Sequence, residues 1–339
     1  MAGTIKLSPK PTIIISRTDN IGDVMLTLPL AGHIRQKFPE ANILFLAKKY
    51  IRPIIESCEH INKFVDWDEI QSLPSEDQLS RLKSFNAEVI LHIFPNIEVA
   101  ALASKAGIPN RVGTSHRSYH WLYCNKRVSF TRKGSDLHEA QLNVELAKPL
   151  GITSIPKLEE IKSLYGFTKI PKWTGEELID KNRFNLILHP KSRGSAREWE
   201  WKNWNQLAEI LPKEKYKLFV TGTENEGEEI RKNLLINHPE ITDLTGKLDL
   251  AQLVAFISKA DGLVACSTGP LHIAAALGKR AIGLYPSIRP MHPGRWAPLG
   301  QKAAYLVLEK ECSDCKKKNY CSCINSLTPE QVKALLNHE

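Results

Sequence analysis

The chain has 339 residues, enough for two domains of ordinary size, and a composition of 42% hydrophobic and 24% charged residues that excludes a disordered or fibrous protein. No apolar run approaches the length of a membrane span, and the seven cysteines, an odd number, argue against a fully paired disulfide framework. The net charge of +9 favours anionic partners, whether nucleotides, phosphorylated glycans, anionic lipid or nucleic acid, without choosing among them.

Residues 1–11 are polar, and Ile13–Ile15 is too short for a signal-peptide core, so a cytoplasmic protein without a cleaved leader is expected. Thr12–Ser16 reads as a strand, Arg17–Ile21 as a loop, and Val24–Phe38 as one helix opened by Gly22 and Asp23. Strands follow at Ile43–Leu46, Lys63–Val65 and Glu88–Ile93, with helices at Ile51–Glu56, Leu79–Ser84 and Val99–Ala106. This alternation predicts parallel βαβ units. A further helix is expected over His138–Pro149, then a linker within Ile152–Lys181 rich in prolines, glycines and charges.

The pattern then restarts. Strands are predicted at Phe184–Leu188, Lys217–Thr221, Gly262–Ala265 and Arg280–Tyr285, and helices at Trp204–Leu211, Gly227–Asn237 and Leu250–Ser258. Thr328 caps a closing helix that runs to Asn337. The domains are set at 1–165, 166–327 and the terminal helix 328–339. Two doubly wound α/β domains facing each other across a cleft are the expected architecture.

The most informative segment is Ser267 to Gly278. The apolar run Leu263–Ala265 ends a strand, Thr268 and Gly269 make a turn, and Pro270 takes a position at a helix start that needs no N–H. Free backbone N–H groups and a positive dipole end at such a point suit phosphate, and His272 in the first helical turn adds a donor. The plainer reading is a tightly packed α/β turn with a core histidine. After the first strand of the second half, the loop His189–Trp199 carries Lys191, Ser192, Arg193, Gly194 and Arg197, a basic Ser/Gly loop that suits a diphosphate or is simply exposed. Glu224 and Glu226 follow the next strand and offer carboxylates for ribose hydroxyls, and Leu244 and Thr245 would border a base pocket.

In the first half, Arg17–Val24 lacks a G-x-G-x-x-G fingerprint, which argues against a nicotinamide fold. Asp23 has two readings that spacing alone does not separate: a first-turn helix acid, or a general base for a sugar hydroxyl. Asp66-Trp67-Asp68 matches a metal-holding D-x-D, but such pairs arise often by chance and this one stands apart from the phosphate loops. His116, Arg117, His120, Lys126, Arg127, Arg132 and Lys133, interleaved with Tyr119, Trp121 and Tyr123, form a basic aromatic stretch that is either a solvated face or a surface for sugars, bases or a membrane. Arg289, His292 and Arg295 form a second basic loop. Cys312, Cys315, Cys321 and Cys323 have zinc-like chemistry in an unusual spacing, so reduced thiols are favoured over a structural zinc or a conditional disulfide. No recognition helix or RNA motif accompanies the charge, so no nucleic-acid partner is expected.

Taken together, Ser16–Val24 with Leu28-Pro29, His189–Trp199, Thr221–Glu226 and Ser267–Gly278 resemble glycosyltransferase family 9, the ADP-heptose:lipopolysaccharide heptosyltransferases, over nearly the whole chain. The resemblance implies a GT-B architecture with acceptor on the N-terminal domain and sugar nucleotide on the C-terminal one. It implies inverting transfer that needs no metal or cofactor beyond the donor, ADP-heptose by analogy. It makes Asp23 the base, and it assigns donor phosphate contacts to Ser192, Arg193, Arg197, Ser267, Thr268, Gly269 and His272. Ribose and base contacts fall to Glu224, Glu226, Leu244 and Thr245. The acceptor contacts would be Arg17, Asn20, Gly22, Arg117, His120 and Arg289. An anionic glycolipid acceptor, a peripheral position at the cytoplasmic face of the inner membrane and a monomeric state complete the expectation. Two positions depart from the family: Arg197 stands where a lysine is usual, and Ser267 where many members carry Asp. A non-catalytic nucleotide- or glycan-binding protein of the same fold is the alternative.

Overall fold

The computed structural model describes residues 4–132, 134–310, 312 and 321–337, and the chain divides into two compact units, 1–169 and 170–339. In the first unit six strands form one parallel sheet: β1 Thr12–Ser16, β2 Asn42–Ala47, β3 Lys63–Asp66, β4 Val89–His92, β5 Asn110–Thr114 and β6 Lys126–Val128, in the order β3-β2-β1-β4-β5-β6. Ile14 sits in register between Leu44 and Ile90, and Ile13, Ile14 and Ile15 are all fully buried. A run of β-branched residues with no polar alternation suits a central parallel strand covered on both faces. Each such side chain contributes roughly 1.5–3 kcal/mol by leaving water.

The second unit repeats the plan with β7 Phe184–His189, β8 Tyr216–Val220, β9 Thr242–Asp243, β10 Gly262–Cys266, β11 Arg280–Tyr285 and β12 Ala303–Val307, ordered β12-β11-β10-β7-β8-β9. Both sheets therefore have the doubly wound order in which the first strand lies beside the fourth. The topological switch points fall between β1 and β4 and between β7 and β10. Ligands of such folds bind outside the carboxyl ends of the strands at these points. No helix among the described residues is long and apolar enough to cross a membrane.

The elements differ from the sequence expectation in instructive places. The helix expected over Val24–Phe38 is two helices, Ile21–Met25 and Leu28–Lys37. Pro29 lacks the N–H that would bond back into the first helix and is tolerated only near the start of a new one, and the Thr27 hydroxyl bonds back to the Asp23 carbonyl at the break. The helix expected over His138–Pro149 spans Glu139–Glu145, with the His138 ring accepting from Ala140 N–H at its start and Pro149 in a 3₁₀ turn beyond. Glu224 already lies inside the helix expected to begin at Gly227, because Thr223 and Glu226 form a capping box, and the next turn widens to a π-turn over Arg231–Leu235. Residues 166–169 belong to the first unit: Gly166 O accepts from Glu59 N–H, and Thr168 and Lys169 N–H donate to Ser57 O. The closing helix Pro329–Asn337 packs on the helix Trp201–Ile210 and buries Val332 and Leu336 in the second unit's core.

Candidate active site

In the first unit the loop after β1 carries the chemistry. Asp23 lies in the first turn of Ile21–Met25, where Asn20 provides the extended residue before the helix without a side-chain cap. The Asp23 side chain keeps 20% of its exposure, and its Oδ1 accepts from Arg17 Nη2 at 2.5 Å. Arg17 is 3% exposed. Its Nε and Nη2 donate to the two carboxylate oxygens of Asp19 at 2.8 and 3.0 Å, and its Nη1 donates to Thr27 Oγ1, Glu139 Oε1 and Asn143 Oδ1. Glu139, with no exposure, also accepts from Arg132 Nε at 3.2 Å. Asn143 steadies the other side by donating to Leu26 O and Thr27 Oγ1.

The electrostatics follow from that packing. Burial opposes the Arg17 charge, but Asp19, Asp23 and Glu139 outweigh it and hold the guanidinium protonated beyond its ordinary range. The Asp23 carboxyl is pushed up to about 6, first by burial and then by the neighbouring Asp19 and Glu139, while Arg17 pulls the other way. A carboxylate at that value is ionised at neutral pH and basic enough to accept a proton. Arg17 orients Asp23 and has its donors turned inward, so the acceptor contact expected of it is corrected to a positioning role.

The second unit places its loops at the β7/β10 switch point. β10 ends at Cys266, Thr268 caps the helix Gly269–Ala276, and Gly269 and Pro270 fill its first two positions. Pro270 needs no donor there, which leaves the Gly269, Leu271 and His272 N–H groups at the helix start. The Thr268 Oγ1 is buried with no partner among the described residues, and the His272 side chain is 2% exposed. Ser267 hydrogen-bonds the Tyr285 hydroxyl, which itself donates to Trp296 O. After β7, His189 Nδ1 lies 2.9 Å from Thr221 Oγ1, and its pKa is lowered to about 4 by burial against the opposing pull of Glu226 and Glu198. The loop beyond turns through left-handed backbone at Arg193 and Gly194 (φ 50° and 78°), a conformation that suits the glycine and is unusual for the arginine. Arg193 is exposed, and Arg197 is half-buried.

A sequence profile described as glycosyltransferase family 9 (heptosyltransferase) matches residues 79–323, more than half of the chain. The chain belongs to glycosyltransferase family 9. It is 25% identical over 302 residues to the lipopolysaccharide core heptosyltransferase OpsX of Haemophilus influenzae, covering 84% of this chain and 81% of that one. It is 23% identical to lipopolysaccharide heptosyltransferase 2 of Escherichia coli, over 94% of this chain and 95% of the relative. Among solved structures, ADP-heptose lps heptosyltransferase II of E. coli superposes with a TM-score of 0.72 at 20% identity, covering 96% of this chain and 97% of that one. A family 9 glycosyl transferase from Veillonella parvula gives 0.75 at 18% identity, with 99% of each chain covered. The protein is thus a glycosyltransferase with the two Rossmann-like domains of the GT-B fold.

The family 9 chain does not leave every expected contact open to a ligand. Ser192 is buried, and its N–H and Oγ both reach Glu198 Oε1 at 2.8 Å. Lys191 pairs with Glu198 and Glu229, so one of the loop's three cations is already matched. Thr245 is fully buried, donating its hydroxyl to Asp243 and accepting from Arg231, while the Leu244 side chain is buried. These two are corrected from base contacts to supports of the turn after β9. Glu224 is exposed and paired with Arg231. Glu226 uses Oε2 for Thr223 N–H and Oγ1, and its Oε1 has no partner among the described residues.

His120 is also corrected. It has no exposure, and its Nδ1 lies 3.0 Å from Thr114 O. It anchors the helix Ser118–Tyr123 to β5, where Gly113 leaves room for it: a Cβ there would stand 2.6 Å from the His120 ring. Arg117, Asn20 and Arg289 are exposed, Gly22 half-exposed. Asp66 caps the helix Trp67–Ser72 by accepting from Glu69 N–H, and Asp68 accepts from Lys49 N–H. Cys321 and Cys323 are buried in the second unit's core, with Cys312 hydrogen-bonded to Cys323. Cys315 lies outside the described residues. Sequence reasoning missed the partners of Arg17: the signal was a Glu and an Asn at positions 139 and 143 of an otherwise apolar helix face, too sparse to read without the fold.

Proposed function

We propose that this family 9 glycosyltransferase moves a heptose, with inversion, from ADP-heptose to a lipopolysaccharide core sugar or a similar anionic glycan. The observation that carries the reading is Asp23: a partly exposed carboxylate at a switch-point loop, oriented by a buried arginine and raised to about 6. The names of the relatives supply the sugar and the nucleotide, and the basic loop with the helix start at Gly269 supplies groups suited to a diphosphate.

In this reading an acceptor hydroxyl attacks the anomeric carbon from the face opposite the nucleotide. Asp23 takes the hydroxyl proton as the new C–O bond forms, and the bond to the diphosphate breaks with its electron pair on the leaving oxygen. The N–H groups at the Gly269 helix start, His272 and Arg197 stabilise that charge. Glu226 Oε1 is buried without a partner among the described residues, and a ribose hydroxyl reaching it would satisfy it. Ser267 offers no carboxylate, so the sugar is held with one fewer charged contact than in members carrying Asp there.

Mass-spectrometric detection of a heptose added to a heptose-deficient core glycolipid, with a panel of other nucleotide sugars as controls, tests the donor and reaction together. No product with ADP-heptose but product with another donor would overturn the donor assignment. Transfer is expected to persist in chelator.

Two further results are expected. Because Asp23 must be ionised to act, kcat/KM should rise with pH through about 6 and level off above it; a profile flat from pH 5 to 8 would remove Asp23 from the role. Arg197→Ala and His272→Ala should each weaken ADP binding by about tenfold, the loss of one charge-assisted hydrogen bond. Calorimetry showing unchanged affinity in both would displace the diphosphate from this turn.

A further inference from the structure

Three of the four exposed large apolar side chains among the described residues of the first unit lie on two neighbouring helices. Trp121 is 62% and Leu122 73% exposed on Ser118–Tyr123, and Ile97, 52% exposed, begins the helix Ile97–Lys105 that packs against it. These positions are held out by construction. His120 is buried beneath them against β5, so its two successors on the helix face solvent. The Trp121 indole N–H donates to Ser115 O at 2.9 Å, which satisfies the ring's polar atom and leaves its apolar surface outward. The Arg127 guanidinium stacks on the ring at 4.3 Å.

Charge is arranged around the same helix. Residues 99–135 contain no Asp or Glu but seven basic residues: Lys105, Arg111, Arg117, Lys126, Arg127, Arg132 and Lys133. Arg132 pairs with Glu139, whereas Lys105, Arg111, Arg117, Lys126 and Arg127 lie in no ion pair among the described residues. A tryptophan and a leucine standing out of an uncompensated basic surface match the division of an anionic lipid interface, with phosphate outside and hydrocarbon beneath.

We propose that the face bearing Trp121 and Leu122 docks this protein on an anionic phospholipid bilayer, with the indole and the leucine entering the headgroup layer and Lys126 and Arg127 meeting lipid phosphates. A second copy of the chain would bring the same predominantly basic surface, with Glu98 at its border, against itself, and the like charges oppose that pairing. The aliphatic Leu122, the more exposed of the two, gains from a hydrocarbon layer and not from stacking on bases. The proposal does not rest on the identity of the transferred sugar.

The test is co-sedimentation of the full chain with vesicles of phosphatidylcholine containing about one-third phosphatidylglycerol, against phosphatidylcholine alone, without any sugar substrate. Wild type should partition to the anionic vesicles at least about tenfold more strongly and release with salt. The Trp121→Ser, Leu122→Ser double variant should lose about tenfold or more of that partitioning. Lys126→Gln and Arg127→Gln should each lose about fivefold. Melting temperature and ADP affinity are expected to stay at wild-type values in the double variant, showing that it is folded. Equal sedimentation with both vesicle types, or wild-type partitioning by the folded double variant, would overturn the proposal. So would light scattering that finds a wild-type dimer dissolved by the double substitution, which would make the face a self-association surface. Failure of heptose transfer would leave the vesicle result unaffected.

Discussion

Asp23→Asn is expected to lower kcat/KM for glycosyl transfer by about two to four orders of magnitude, the ordinary worth of a positioned general base. ADP affinity should stay within about threefold, because the groups assigned to the diphosphate belong to the second unit. Stability supplies an independent readout. Asp23 titrates near 6 in the folded protein, above its unfolded value, so folding favours its neutral form. Its favourable contribution is complete below the unfolded pKa and is lost as pH rises through about 6. At pH 8 the wild type therefore keeps an ion that folding disfavours, and the neutral amide should leave the melting temperature equal or higher. Loss of activity with unchanged or raised stability is the mark of a catalytic group; loss of both would show Asp23 to be a structural member of the cluster. Asp19→Asn is the companion variant. Asp19 takes two Arg17 donors, and its loss should perturb the orientation of Arg17 and reduce activity less than loss of Asp23.

Much of this arrangement is legible in the chain. Ile13–Ile15, Leu186–Leu188 and Leu263–Ala265 are unbroken apolar runs, and unbroken runs mark the central strands of parallel sheets, which is where all three lie. The strands toward the sheet edges are another matter. Asn110–Thr114 and Lys126–Val128 begin with polar or charged residues, and Thr242–Asp243 has only two residues, so register against a neighbour defines them rather than any pattern of their own. Ala303–Val307 is half-exposed along its length and has the same character. Sites divide similarly. The turn at Ser267–His272 is local, and a strand end, a proline and a helix start suffice to read it. Arg17 is not local. An arginine in a loop looks like a ligand for an anion, and nothing within ten residues reveals that Glu139, 122 positions away, turns it inward. Thr245 and His120 were misread for the same reason: their polar atoms are taken by Asp243, Arg231 and the Thr114 carbonyl only once the chain is folded.

Arg17→Met carries the largest expected stability effect. Among the described residues Arg17 is the one cation in hydrogen-bond contact with Asp19, Asp23 and Glu139 together, and methionine keeps most of its volume while deleting the charge. Arg132 still reaches Glu139, but among the described residues no other cation pairs with Asp19 or Asp23. Removing one partner from a buried ionic cluster typically costs about 3–5 kcal/mol, because the remaining charges stay desolvated. For a unit of this size that corresponds to a fall of about 10 °C in the melting transition. The pH dependence separates charge from packing. Without Arg17 the Asp23 carboxyl, already raised by burial, rises further, so the variant gains stability as pH falls through that raised range, and its deficit against wild type should shrink from pH 8 to pH 5. A packing defect would be the same at both values. Arg17→Lys should recover only part of the loss, since one ammonium cannot span carboxylates that the guanidinium reaches with three nitrogens. Chemical denaturation at pH 8 that places Arg17→Met within about 1 kcal/mol of wild type would mean the cluster is not held by this arginine, and the orientation of Asp23 would need another source.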